Sequence, residues 1–369
     1  MLKTTLFPTL ALILAAAPAR AYNTAQHADF ASDALAVLCG ADAGAAGPLC
    51  AELAAYEPFL RFGAEMEDEG ERDFRRTFGG VEFRDEEPGK HGPCKASWLY
   101  GERHMYCNHY FFVDNYLAGR PSGSCGSDLL DATTPDCGGL KPFQWESARE
   151  RGLRLMEEKV LPNYLSGAAD GKARAYYWLG RVSHLLADMS VPAHVVPHTI
   201  NFMEFEHRVF EYEAGRVDAP GAVREATPGD LGGLFVELAR RSLEVQAAAR
   251  LDGCRRDPAV TGCDKNRATP TRPLESRLKI KNVLRTDAIM KGKQSVLAKP
   301  EIQAESVLAR TMLAEIKPLT VLYTVRLLEL FAEQAALKPV ASEMPGFLPD
   351  ASDPAPFRLP PDFDGAPAR

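Results

Sequence analysis

The sequence predicts an all-α fold: a single mostly helical domain with long, disulfide-tied loops. Three observations predict it. Apolar residues recur at helical spacing in segment after segment. Strand-like alternation is scarce. Eight cysteines fall into four close pairs, which suits small loop staples rather than thiolate metal ligands.

The chain opens MLKTTLFPTLALILAAAPARA, with one lysine, an apolar run from Leu10 to Ala17, and Ala19-Arg20-Ala21. That is the layout of a secretory signal peptide over 1–21, cleaved after Ala21. The run is too short to span a bilayer and no later stretch is long enough. The expectation is therefore a secreted or periplasmic protein with no transmembrane span. Loss of Lys3 and Arg20 leaves 41 basic against 50 acidic residues, a net charge of −9 instead of the full chain's −7. Such a surface has no global attraction to nucleic acid or anionic lipid.

In order, TAQHADFASDALAVL (24–38) puts His27, Ala31, Ala34, Leu35 and Leu38 at helical spacing. Helices are also expected over 48–62, 144–165, 172–189, 203–215, 230–250 and 302–337, the last kinked or split at Pro318. GVEF (80–83) and HYFFV (109–113) read as short extended pieces. Pairing neighbours in sequence gives Cys39/Cys50, Cys94/Cys107, Cys125/Cys137 and Cys254/Cys263, the simplest of the connectivities open to eight cysteines. The catalytic domain is expected over 22–337. Within it, 265–299 holds ten Lys or Arg against two acids, a basic excursion that reads as a solvated loop or a phosphate-binding surface. Residues 338–369 contain eight prolines and read as an extended tail.

The chemistry concentrates in SHLLADMSVPAH (183–194). His184 and Asp188 stand four apart and share one helix face, while Pro192 fixes the chain before His194. His207 and Glu211 repeat the four-residue spacing. Upstream lie His109 in NHYFF, the acidic GAEMEDE and His27. Neutral imidazoles and carboxylates together suit Zn²⁺. Each pair taken alone is more often a hydrogen bond than a ligand pair.

The order His184-Leu-Leu-Ala-Asp188, Pro192-Ala-His194, His207-x-x-x-Glu211 resembles the signature of the zinc-dependent phospholipase C and single-strand nuclease superfamily. FGAEMEDE before NHYFF, and IKPLTVLYTVRLLELF near the end, are similar to further family segments. The resemblance covers most of 22–337. It implies three zinc ions. Asp68, His109, His184 and one Asp188 oxygen would hold the first; His194, His207 and Glu211 the second. The third would sit on the Tyr22 amine and carbonyl, His27 and the other Asp188 oxygen. Tyrosine stands where the family usually has tryptophan. Asp68 is chosen from an acidic segment that also holds Glu65, Glu67, Glu69 and Asp73 because it fits the Gly-Ala-x-x-Glu-Asp pattern.

The reaction so implied is phosphodiester hydrolysis by a zinc-activated hydroxide, with Asp68 orienting or deprotonating the water. Glu211 and SVPAH resemble the phospholipase branch, whereas the spacing from Tyr22 to His27 is closer to the nucleases. The first expectation is a secreted phospholipase C meeting a phospholipid head group through peripheral membrane contact. The alternatives are an extracellular single-strand nuclease and a non-catalytic, zinc-stabilised exported protein. Tyr106, Tyr110 and Phe111 are candidates to cage a head group or stack a base, with core packing as the plainer reading. His198, His91 and His104 read as surface or structural residues.

Overall fold

A computed structural model describes residues 24–40, 48–67, 75–84, 106–119, 122, 124–125, 143–144, 146–195, 205–215, 226–256, 294–298 and 300–335. These are mostly helical, as the periodicity requires. Residues 1–21, expected to be a signal peptide, Tyr22, Asp68 and residues 338–369 lie outside them, as does the basic stretch except for 294–298.

Helices α1 (Thr24–Cys39) and α2 (Pro48–Met66) form a pair closed by a disulfide between Cys39 and Cys50. Of the four expected staples, this one is present. The other three, Cys94 with Cys107, Cys125 with Cys137 and Cys254 with Cys263, are not among the disulfides of the described residues. Cys94, Cys137 and Cys263 lie outside those residues altogether, and the side chains of Cys107, Cys125 and Cys254 do as well. A hairpin follows, β1 (Arg75–Phe78) against antiparallel β2 (Val81–Arg84), with Phe78 opposite Val81. Its tight turn needs positive φ at both linking positions, and Gly79 (φ 55°) and Gly80 (φ 78°) supply it. Phe78 and Phe83 on the hairpin pack on Phe59 and Phe62 of α2.

NHYFF does not form a strand. Tyr106–His109 make a 3-10 turn, and Val113–Leu117 form α3. A two-residue bridge, β3 (Ser124–Cys125) with β4 (Phe143–Gln144), precedes α4 (Ala148–Leu155). The helix expected from 144 thus starts later. Ser147 caps it: its Oγ accepts from Glu150 N at 3.4 Å while Glu150 Oε2 accepts from Ser147 N at 2.8 Å. A π turn at Met156–Val160 links α4 to α5 (Leu161–Leu165).

The central element is α6 (Gly171–Asp188), buried at every residue from Ala175 to its end. Apolar side chains cover most of its surface, and its buried polar ones meet partners instead of solvent, Arg181 on Glu67, His184 on Ala64 O and Asp188 on His109. It crosses α2 backbone to backbone, which only glycine permits. A Cβ on Gly63 would fall 1.8 Å from Tyr177 O, and one on Gly180 2.0 Å from Leu60 O. After a turn come α7 (Pro192–Val195) and α8 (Phe205–Ala214), then α9 (Leu231–Arg256), α10 (Gln294–Leu297) and α11 (Pro300–Gln334). Helix α11 runs through Pro318 unbroken. Leu313, Ile316, Leu319 and Val321 are buried on both sides of the proline, so packing of the two halves outweighs the lost hydrogen bond. No helix among the described residues is long and apolar enough to cross a membrane.

Candidate metal centre

Asp188, at the last turn of α6, lies among four imidazoles brought from different parts of the chain. His109 Nδ1 is 2.6 Å from its Oδ2, and His184 Nε2 is 3.5 Å from the same oxygen. His194 Nδ1 and His27 Nε2 are 3.3 and 3.6 Å from Oδ1. The His27 and His184 rings stack at 3.6 Å, and the His109 ring stands edge-on to His184 at 5.0 Å. All five residues are buried.

Local structure explains each placement. His27 is in the first turn of α1, directed inward with Phe30, Ala31 and Ala34. His184 and Asp188 occupy successive turns of α6. The chain then turns through Ser190 N–Ala187 O and Val191 N–Asp188 O hydrogen bonds into α7, where His194 N donates to Val191 O. Phe111 N donates to His194 O at 2.9 Å. That bond ties the His109 segment to the His194 turn.

The hydrogen bonds also fix protonation. His184 Nδ1 is 2.6 Å from Ala64 O. A carbonyl only accepts, so Nδ1 donates to it, and Nε2 is the ring nitrogen that faces Asp188. An ionised Asp188 likewise accepts from His109 Nδ1. Its carboxyl is held well below the usual range: burial alone would raise it, but His184, His109 and His194 together outweigh that. His27 is pushed well below its ordinary value by burial and by His184, despite Asp188. An ionised carboxylate beside His27, an imidazole that burial keeps from protonating, suits the binding of a cation.

One set among the described residues meets the geometric requirement for holding an ion: His27, His184 and Asp188, each with one ligand atom within 4.8 Å of the others. Ligands about 2.0–2.1 Å from a tetrahedral zinc are about 3.3 Å apart, close to the His184, His194 and His27 separations from Asp188. His109, at 2.6 Å, stands at hydrogen-bond distance instead. The donors fit one metal ion. No protein-family model matches this chain, and no curated protein matches it either.

The remaining candidates fall as follows. Glu211 is buried on α8; His207 precedes it on the same helix, but its side chain, like Tyr106's, lies outside the described residues. His198, His91 and His104 are outside them too. Tyr110 and Phe111 are 1% and 0% exposed. Phe111 belongs to the apolar core, and the Tyr110 ring packs 4.9 Å from that of His194. Neither ring presents surface for a ligand to stack on, so both follow the core-packing reading rather than the substrate cage.

Two carboxylates of the acidic segment are accounted for by the structure. Glu67, fully buried, accepts from Arg151 Nε at 2.6 Å and Arg181 Nε at 2.5 Å. Burial would raise its carboxyl, but the two guanidiniums bring it down to about 2. Glu65 is buried and pushed up to about 7, mainly by desolvation, with Arg61 opposing. Sequence reasoning missed Arg151 and Arg181. A charged residue inside the apolar run WLGRVSHLLAD was the available signal, since a buried charge requires a partner.

Glu65 yields a pH prediction. Its folded value lies above the ordinary 4.5, so its contribution is fully present below 4.5 and lost as pH rises through about 7. Glu65→Gln is expected to stabilise the protein by about 1–3 kcal/mol at pH 8 and hardly at all at pH 4.5. Urea unfolding at the two pH values checks this; an equal effect at both would refute it.

Proposed function

We propose that the chain is a secreted zinc-dependent phosphodiester hydrolase of the phospholipase C and single-strand nuclease superfamily, acting on glycerophospholipids. One observation carries the reading: Asp188 sits among four buried imidazoles contributed by α1, the 106–109 turn, α6 and α7. A structural role alone does not call for four histidines around one buried carboxylate. The cystine between Cys39 and Cys50 is compatible with an exported chain.

In this reading His27, His184 and Asp188 hold zinc together with Tyr22, Asp68 and His109, and His194, His207 and Glu211 complete a three-ion cluster. Bound zinc supplies Lewis acidity, which activates water and neutralises charge on the phosphoryl oxygens. The chain contributes the rest. Three carboxylates leave a trinuclear cluster with about three excess positive charges, which draws an anionic diester despite the acidic surface. Asp188 would give one oxygen to each of two ligand sets, the Ala64 carbonyl accepts from His184 Nδ1 and holds its ring in place, and Asp68 would orient or deprotonate the attacking water.

Hydrolysis of phosphatidylcholine and of single-stranded DNA, each with and without chelator, tests the reading. Chelator-sensitive release of phosphocholine supports it. Cleavage of DNA alone would assign the chain to the nuclease alternative, with a steep salt dependence. Activity on neither would favour the non-catalytic protein. Asp68→Asn is expected to lower turnover by about 10²-fold or more, the scale of a positioned acid–base group, while zinc content falls less. Zinc lost in proportion to activity would make Asp68 a ligand only.

A further inference from the structure

Gly180, His184 and Asp188 stand at successive four-residue steps on α6, so they form one row along the helix. At one end of that row is the α2–α6 crossing; at the other is the candidate metal centre. The contacts at the crossing are with backbone. A Cβ on Gly180 would lie 2.0 Å from Leu60 O and 2.8 Å from Ala64 N, and one on Gly63 1.8 Å from Tyr177 O. No rotamer change can relieve such a clash. One turn on, His184 Nδ1 reaches Ala64 O at 2.6 Å.

We propose that Gly180, with Gly63 opposite, is a positioning residue that holds α2 close enough for the Ala64 carbonyl to fix the tautomer and place of His184. Restoring an ordinary carbon contact of about 3.5 Å at Gly180 separates the helices by more than about 1 Å. The same displacement takes the His184–Ala64 bond past about 3.5 Å, where it no longer holds. The ring is then no longer held against the Ala64 carbonyl, and its orientation toward Asp188 is lost. Loss of an outer-shell partner of this kind weakens metal binding about 10–100-fold. This rests on His184 being a metal ligand.

The test is zinc affinity, measured by competition with a chromophoric chelator on chain shown to be folded by circular dichroism. Gly180→Ala is expected to bind zinc about 10–100-fold more weakly. Leu328→Ala, which destabilises by opening a cavity in the core of α11, is expected to leave affinity within about twofold. A folded Gly180→Ala with wild-type affinity overturns the proposal. If Gly180→Ala does not fold, the metal-free wild-type chain decides through ¹⁵N-histidine NMR. His184 is expected to be protonated at Nδ1, with that proton protected from exchange; protonation at Nε2 or fast exchange overturns the proposal. Wild-type chain that binds no zinc but shows the protected Nδ1 proton supports the crossing's hold on His184 and overturns the metal reading alone.

Discussion

Asp188→Asn is expected to abolish tight zinc binding, and the chelator-sensitive activity with it, while leaving the metal-free fold almost unchanged. The first half follows from charge. Asp188 is the anionic member of the set with His27 and His184, and it lies within 3.6 Å of all four imidazoles. An amide offers a cation one weaker, uncharged oxygen. The loss should exceed the roughly 10–100-fold cost of removing an outer-shell partner. The second half follows from shape. Asparagine keeps the volume, and its carbonyl can accept the His109 Nδ1 proton in place of Oδ2. The metal-free chain should therefore still fold, losing only the stability that the depressed Asp188 carboxyl contributes at neutral pH. Asp188→Ala differs: it removes that acceptor within the buried site and should cost about 1–3 kcal/mol more. Zinc titration beside urea unfolding of the metal-free proteins checks the pair. Retained zinc affinity in Asp188→Asn would remove the carboxylate from the centre of the site.

How far the sequence made this legible differs from element to element. Helices α1, α2, α6 and α9 were readable because their apolar residues repeat at helical spacing over many turns, and tertiary packing agrees with that pattern. HYFFV was not. Its β-favouring residues are governed by packing instead, with His109 turned onto Asp188 and Phe111 buried in the core. Pro318 does not split α11, since burial on both sides carries the helix through it. At the site, the His184/Asp188 step and the turn to His194 were legible as local spacing. The arrival of His27 and His109 is a long-range event, and only the resemblance placed them. The Ala64 carbonyl and the glycine crossing could not be read at all, because a backbone acceptor leaves no mark on residue identity.

Glu67→Ala is expected to be the most destabilising carboxylate substitution among the described residues, at about 3–5 kcal/mol near neutral pH. Arg181 is fully buried, its guanidinium over the Trp178 ring at 5.1 Å, and Arg151 is nearly so. Arg181 Nη2 also donates to Met66 O at 3.2 Å, but it is Glu67 that supplies the countercharge between the two guanidiniums. Removing it takes from two buried guanidiniums the countercharge they share. The same triad gives the protein an acid limit. Glu67 ionises near 2 in the folded chain against an ordinary 4.5, so its stabilisation is complete above 4.5 and lost as pH falls toward about 2. The shift corresponds to about 3 kcal/mol. Wild-type protein should lose that much between pH 4.5 and 2, and Glu67→Ala should lose none of it. Urea midpoints across that range decide the matter; equal slopes in the two proteins would mean the arginines are neutralised by other groups.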